Sequence, residues 1–337
     1  MTPHVSIIIV ALNEAGNLAR TLGAIRQMNC SPDDYEMIVV DGGSADSTAA
    51  IARQAGARVV VAKGKNIPAS RNIGVANATT PIVAFLDADC LVHPEWLNRG
   101  LKHFEGGRDL LVGSPAAVPE NATWVQRLWA DHWRLKALVA SEGRTGPEIY
   151  RILTTRNLFT TRRVIEAVGG FDEELNTGED YYFCYRIHAK GFSVKCDLDI
   201  SVAHIGEPAT LREFLQEQMW HASNVASARL VKEGAWRRLN ARTFGIYLCL
   251  CLWGLVVGLV VGLLGGKWTL AILGAVLFFV APVGLSLRTA LRAGRWSRVP
   301  GYIILYLTFG LARVATLWPS FWVTRKRPKK TGAGRNL

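Results

Sequence analysis

Cysteine is scarce in this chain and poorly placed for either of its special chemistries. Six cysteines (30, 90, 184, 196, 249 and 251) are spread over 337 residues. None falls in a metal-ligand spacing and two lie inside an apolar run, so they read as small buried hydrophobes of a reducing compartment. Acidic residues are also in deficit: 27 Asp and Glu against 39 Lys and Arg leave a formal charge of +12. Nucleic acid is not the expected partner, because no basic motif is interleaved with aromatics. The charge gathers instead at Arg237, Arg238 and Arg242, at Arg288, Arg292, Arg295 and Arg298, and at Arg325, Lys326, Arg327, Lys329 and Lys330. Repeats and low-complexity tracts are absent. No leader is evident either, since Met1 to His4 runs directly into a strand, and the first domain is expected to stay where it is made.

Two segments lack charge altogether. Phe244 to Leu264 and Thr269 to Leu287 are each near the ~20 residues that cross a bilayer as a helix. Neither shows the polar face that a buried core helix keeps. They are expected to span a membrane, with the arginine clusters as cytoplasmic flanks facing anionic lipid. A third apolar stretch, Val299 to Ala312, is followed by Arg313, Leu317 to Val323 and the interrupting Pro319. A full span there leaves the basic tail outside, against the charge rule, whereas an interfacial helix keeps both basic clusters inside. The reading adopted is three membrane helices, near 244–264, 269–287 and 300–322, the last irregular.

Up to about Asn240 short apolar runs alternate with helix-like stretches. Val5-Ser6-Ile7-Ile8-Ile9-Val10 is a continuous rather than alternating run, as in a parallel strand buried on both faces. Asn13 is expected to cap a helix through Leu18, Leu22 and Ile25. Met37 to Val40 and Arg58 to Val61 read as strands, Pro68 opens another helix, and Val83 to Leu86 forms a fourth strand delivering Asp87 and Asp89. Alternation of this kind predicts a parallel sheet with ligands at the carboxyl ends of its strands, where Asn13, Asp41, Asp87 and Asp89 all fall. Farther on, Leu110 to Val112, Asn157 to Thr160 and Val194 to His204 read as β structure. Asn121 to Ala140 reads as a helix bearing Trp124, Trp129 and Trp133, suited to a membrane interface, an acceptor groove or plain core.

Carboxylates one residue apart at a strand end can share a hard divalent cation, and such a cation holds diphosphates; a solvated acidic turn is the plainer explanation. Asp41, ahead of Gly42-Gly43, can accept hydrogen bonds from a base or ribose, or simply satisfy its own turn. Glu14 sits where a helix dipole favours any acid. Arg71 can add a cation toward phosphates or be a solvated helix charge. Thr177-Gly178-Glu179-Asp180 opens a helix: the acids either cap it or supply a general base, with Asp180 as the base and Glu179 in support. His204 is a further metal ligand or a satisfied interior histidine.

Taken in order, Val5 to Glu14, Val39 to Thr48, Ser70-Arg71-Asn72-Ile73-Gly74, Phe85-Leu86-Asp87-Ala88-Asp89, Gly169-Gly170-Phe171-Asp172-Glu173 and Gly178-Glu179-Asp180 make a pattern that resembles glycosyltransferase family 2 over about residues 3–205. The resemblance implies an α/β GT-A fold (Rossmann-like, mostly parallel), a UDP- or GDP-sugar donor, Mg²⁺ or Mn²⁺, and inversion at the anomeric carbon. Carried across, Glu14 and Asp41 contact the nucleotide, Asp89 binds the metal and Asp180 is the base. Beside them, Ala11, Asn13, Arg71 and Asp87 stand as further donor-binding candidates, His204 as a candidate second metal ligand and Glu179 as support for the base. Two departures bear on the acceptor. Processive members carry Gln-x-x-Arg-Trp, and here Gln216-Glu217-Gln218-Met219-Trp220 has methionine where arginine belongs. They also place membrane helices ahead of the catalytic domain, and none is evident here.

The implied organisation is a GT-A catalytic domain over 1–205, amphipathic or interfacial linker helices over 206–242, a membrane region over 243–323 and a basic tail over 324–337. The implied protein is a membrane-anchored, non-processive hexosyltransferase acting on a lipid or lipid-linked hydroxyl, multi-pass in the cell (inner) membrane with its catalytic domain cytoplasmic. Polyprenyl-phosphate glycosyltransferases are close in layout, but many lack the Gly-Glu-Asp base because their acceptor is already an anion. A catalytically silent nucleotide-binding adaptor is the remaining alternative. A nucleotidyltransferase would need a glycine-rich phosphate loop that Ala11 to Glu14 does not form. The acceptor is expected to be read by Pro115 to Thr155.

Overall fold

Four strands rich in Ile and Val open the chain: β1 (Val5–Ala11), β2 (Tyr35–Asp41), β3 (Arg58–Val61) and β4 (Ile82–Asp87); β1 and β4 are largely buried on both faces, whereas β3 is partly exposed. The structure is a computed structural model describing residues 4–141, 149–175, 177–222 and 241–315. Helices α1 (Ala15–Arg26), α2 (Thr48–Gln54) and α3 (Ile67–Asn77) cross between the strands. With β6 (Leu110–Gly113), β7 (Asn157–Thr161) and β8 (Ser193–Cys196), the sheet order is β3-β2-β1-β4-β7-β6-β8. The first four strands are parallel, and β7 runs antiparallel to both β4 and β6. The core packs Ile7, Ile9, Val39 and Leu86 of the sheet against Leu18, Leu22 and Ile25 of α1, with Trp96 and Phe159 beyond.

Register decides what the sheet presents at its carboxyl edge. Ala11 pairs with Asp41, and Val10 with Asp87, so those three strands end within one residue of each other. Asp89 lies just past β4, in the turn to β5 (Cys90–Val92), rather than on the strand itself. β5 pairs antiparallel with β9 (Val202–His204), setting Cys90 opposite His204. That small sheet brings two points more than a hundred residues apart in sequence to one spot. The remaining helices of this unit are α4 (Trp96–Leu101), α6 (Arg162–Val168) and α7 (Glu179–Ala189); between α4 and α6 in sequence comes α5 (Trp124–Ser141), which runs on from the second unit.

A second unit holds the first part of α5, α8 (Leu211–Ala222), α9 (Ala241–Gly265), α10 (Thr269–Ala293) and α11 (Val299–Ala315). Its buried cluster is Val125, Leu128, Phe214, Ala290, Tyr302, Leu305 and Tyr306. Trp129 packs 5.0 Å from the Phe214 ring, Trp133 stands edge-on to Trp129, and Trp124 is exposed. Asp131 accepts hydrogen bonds from Arg298 (2.7 Å) and Tyr302 (2.8 Å), with Arg295 at 3.2 Å. Helices α9 and α10 form an antiparallel hairpin turned at Gly266 (φ 68°). Both are long and apolar enough to cross a membrane, and Leu250, Trp253, Leu263, Leu264, Ile272 and Val280 point outward, unlike the residues of a soluble core helix.

Two sequence expectations need correction or limits. Asn13 does not cap α1: Glu14 stands at that position, and Asn13 is left-handed (φ 54°). Residues 223–240 of the expected linker, Arg237 and Arg238, residues 316–322 of the third apolar stretch with Pro319, and the basic cluster at 325–330 lie outside the described residues.

Candidate active site

At the carboxyl edge the β1–α1 and β2–α2 loops are laced together. Asn13 accepts from the Ala45 N–H and its own N–H donates to Ser44 Oγ, both at 2.8 Å. The Glu14 N–H donates to Thr48 Oγ1 at 2.9 Å, and the Glu14 carboxylate accepts from Asn17 at 2.7 Å. Asp41 is buried and accepts from the Ser44 N–H (3.1 Å) and hydroxyl (2.5 Å). Ala11, equally buried, forms the floor beside it. The side chain of Asn13 thus satisfies the neighbouring loop, which is why it gives up the helix cap.

From that edge a continuous chain of charged groups runs across the first unit. Asp89 Oδ2 lies 3.1 Å from His204 Nε2; His204 Nδ1 is 2.9 Å from Glu207 Oε1; Arg156 donates to the same Glu207 oxygen at 2.5 Å. Arg156 Nε is also 4.0 Å from Asp87 Oδ2, and Arg71 sits 3.4 Å from Asp87 Oδ1. Arg71 closes the chain on Glu179 Oε1 at 2.6 Å, next to Asp180. The two aspartates of the Asp-x-Asp therefore have different company, two arginines for Asp87 and a histidine for Asp89. Asp180 accepts from the Tyr181 N–H at 2.7 Å, and its carboxyl is pushed up from 3.8 to about 6. Burial is the main cause and the adjacent Glu179 charge the second; Arg71, the Tyr181 N–H and Arg156 pull the other way.

The Ser-Arg-Asn-x-Gly segment of α3 positions this chain residue by residue. Arg71 is buried between Glu179 and Asp87, with its guanidinium 5.6 Å from the Phe171 ring centre. Asn72 clamps the Gly169-Gly170-Phe171-Asp172-Glu173 loop, accepting from the Phe171 N–H (2.8 Å) and donating to the Phe171 carbonyl (2.9 Å). Gly170 (φ 72°) leaves room for that amide, since a Cβ there would stand 2.7 Å from Asn72 Oδ1. Gly74 lets α3 lie flat on β1, where a Cβ would collide with Ile8. The clamped loop then leads through Gly178 (φ 75°) into α7, at whose first turn Glu179 and Asp180 stand.

Residues 6–169 match the model of a family described as glycosyl transferase family 2. The chain carries a glycosyltransferase family 2 domain. Glycosyltransferase AglE of Haloferax volcanii is 29% identical over 250 residues, 69% of this chain and 80% of that protein. An uncharacterized glycosyltransferase of Mycobacterium tuberculosis is 35% identical over 135 residues, where the chain spans 59% of the relative's length. Among solved structures, the mannosyltransferase PcManGT from Pyrobaculum calidifontis, in complex with GDP-Man and Mn²⁺, superposes with a TM-score of 0.62 at 16% identity, over 94% of this chain and 88% of that one. The glycosyltransferase domain has the GT-A fold.

Within the first unit Asp89, His204 and Cys90 each bring one ligand atom to within 4.8 Å of the others, all buried. Burial pushes the Cys90 thiol well up, so oxygen and nitrogen are the donors on offer, a set suited to a hard or borderline divalent ion. His204 Nε2 is buried without a hydrogen bond of acceptable geometry, although Asp89 is near. Five carboxylates (Asp87, Asp89, Glu179, Asp180, Glu207) also outnumber two arginines along the chain, an excess of negative charge that a cation offsets. The residues fit a divalent metal.

Arg156 and Glu207 are absent from the sequence-based set. Arg156 is a lone basic residue ahead of an apolar strand, which has no pattern to find. Glu207, three residues after His204 at the end of a strand, left the signal His-x-x-Glu.

Proposed function

We propose that the protein is an inverting, metal-dependent glycosyltransferase that moves a hexose from a UDP- or GDP-sugar to the hydroxyl of a lipid or lipid-linked acceptor at the cytoplasmic face of a membrane. The observation that carries this reading is the chain of contacts within one unit from Asp89 to Glu179, the residue before Asp180, which supports a cation ligand and a general base sharing one site. The family match supports sugar transfer, and the GDP-Man and Mn²⁺ bound to PcManGT support a nucleotide-sugar donor with Mg²⁺ or Mn²⁺. The exposed apolar hairpin α9–α10 supports a membrane-embedded anchor within residues 243–323 and hence a lipid acceptor.

Asp180, with its carboxyl near neutral pH in acidity, takes the proton of the attacking hydroxyl. Glu179 is held by Arg71, and its charge adds to burial in raising the Asp180 carboxyl. The hydroxyl attacks the anomeric carbon in line with the departing diphosphate, and the configuration inverts. Asp89 and His204 would hold the divalent ion, which would supply positive charge toward the leaving nucleotide diphosphate. Asp41, Glu14 and Asn13, on the laced loops, face the nucleoside, and Arg71 with Arg156 fixes Asp87.

The test compares Asp180→Asn with Asp89→Ala in the full chain. Asp180→Asn is expected to abolish transfer and leave donor binding close to normal; Asp89→Ala is expected to weaken Mn²⁺-dependent donor binding. Equal loss of donor binding in both contradicts the roles. Absence of any Mn²⁺-dependent release of nucleotide diphosphate from UDP- and GDP-sugars favours a silent nucleotide-binding adaptor.

A further inference from the structure

We infer that Glu207 is a positioning residue: it holds His204 in the tautomer that turns an unprotonated Nε2 toward Asp89, and Arg156 holds Glu207 in place. The inference rests on the metal reading above and adds the residues that make the site competent. An ionised carboxylate can only accept, so the 2.9 Å contact between Glu207 Oε1 and His204 Nδ1 places the histidine proton on Nδ1. In a metal-binding ring so held, the lone pair falls on Nε2, the atom 3.1 Å from Asp89 Oδ2. A ligating histidine whose second nitrogen is tied to a carboxylate is a stronger, better oriented donor.

The backbone enforces the same arrangement. The Ile205 N–H donates to the Asp89 carbonyl and the His204 N–H to the Ala117 carbonyl, each at 2.9 Å. Strands β5 and β9 thereby fix Cα positions, leaving only the ring's rotation and protonation to be set. Glu207 sets both, and its side chain is only 10% exposed. Arg156 reaches Glu207 at 2.5 Å and Asp87 at 4.0 Å, so the carboxylate cannot swing away without breaking an ion pair. A purely structural Arg156–Glu207 pair would not require Glu207 to spend the same oxygen on His204.

The test is Mn²⁺ binding to the purified full-length protein, followed as loss of the free-ion electron paramagnetic resonance signal, with no nucleotide or acceptor present. Glu207→Gln is expected to weaken Mn²⁺ affinity about 10- to 100-fold, and Glu207→Asp to recover part of it. In a His204→Ala background, Glu207→Gln should add nothing, because its effect runs through that ring. Unchanged Mn²⁺ affinity in Glu207→Gln, or an equal loss with and without His204, overturns the inference. Thermal midpoints without metal separate these outcomes from misfolding, and Glu207→Asp carries the test if Glu207→Gln does not fold. If the unaltered protein binds no Mn²⁺ at all, the inference falls too, but through the metal reading beneath it.

Discussion

At the scale of single residues, Asp180 carries the largest consequences. Its carboxyl holds its proton to about pH 6 in the folded protein, against 3.8 for an ordinary aspartate. Between those values the native state binds the proton more tightly than the unfolded chain does. Its contribution therefore favours folding below about pH 4 and is lost as pH rises through 6. Asp180→Asn should raise the thermal midpoint at pH 7.5 and leave it unchanged at pH 4. Transfer should fall by several orders of magnitude, and the acidic limb of kcat/KM in the unaltered enzyme should titrate near 6. An unfolding series and a pH–rate profile check both. Arg71 gives a sharper structural prediction. Replacing it with methionine strands Glu179 beside Asp87, a loss of about 3–5 kcal/mol when a buried pair is broken on one side, visible as a shifted denaturant midpoint. Asp87, Asp89, Glu179 and Asp180 were legible as candidates in the sequence because each stands in a short recognisable run, as Asp87 and Asp89 do after Phe85-Leu86. Arg156 left no signal and Glu207 only the spacing His-x-x-Glu, because their meaning comes from the fold that sets them against Asp87 and His204.

At the scale of elements, strands declare themselves through composition and helices through what ends them. Val5 to Val10 reads as a buried strand because its apolar residues do not alternate with polar ones, Ser6 alone excepted, and β1 covers it with one residue more, Ala11. The antiparallel insertion of β7 was not readable, since Asn157 to Thr161 has the same apolar content whichever way it runs. Asn13 misled because a local rule, side-chain capping, lost to a tertiary one, the bond to Ala45. Helix α10 runs to Ala293, past the charge-free stretch ending at Leu287, because arginines tolerated in its last turns do not stop a helix. Glycines explain why the α9–α10 hairpin closes so tightly. Gly254, Gly258 and Gly262 recur every fourth residue on α9; a Cβ on Gly258 would collide with the Ala271 backbone, and one on Gly274 would stand 2.6 Å from the Leu255 nitrogen. Between helices in lipid, such close backbone approach replaces the hydrophobic drive that water supplies elsewhere. Gly258→Leu should part the two helices and lower the thermal midpoint in detergent by several degrees. Mn²⁺ affinity, a property of the other unit, should stay within about twofold of the unaltered protein.

At the scale of the whole molecule, the proposed membrane anchor raises the question of which side each segment would face. If α9 leaves the cytoplasm and α10 returns, the turn Gly265-Gly266-Lys267-Trp268 is the one described connection on the far side. Arg288, Arg292, Arg295 and Arg298, at and after the end of α10, then lie with the glycosyltransferase domain on the near side, where positive charge is retained. The reverse orientation would require four arginines to cross with the return, while Lys267 alone stayed behind. The energetics favour the first arrangement, since each arginine carried to the bilayer centre costs about 2.5–3.5 kcal/mol. Lys267→Cys should therefore be labelled in intact cells by a membrane-impermeant maleimide, and a cysteine placed at exposed Arg295 should be labelled only after the cells are opened. Labelling of the Arg295 position in intact cells would put the charged flank, and with it the catalytic unit, on the outside. A nucleotide sugar made in the cytoplasm could not reach Asp89 and Asp180 there, so that single result would remove the donor from the proposed reaction.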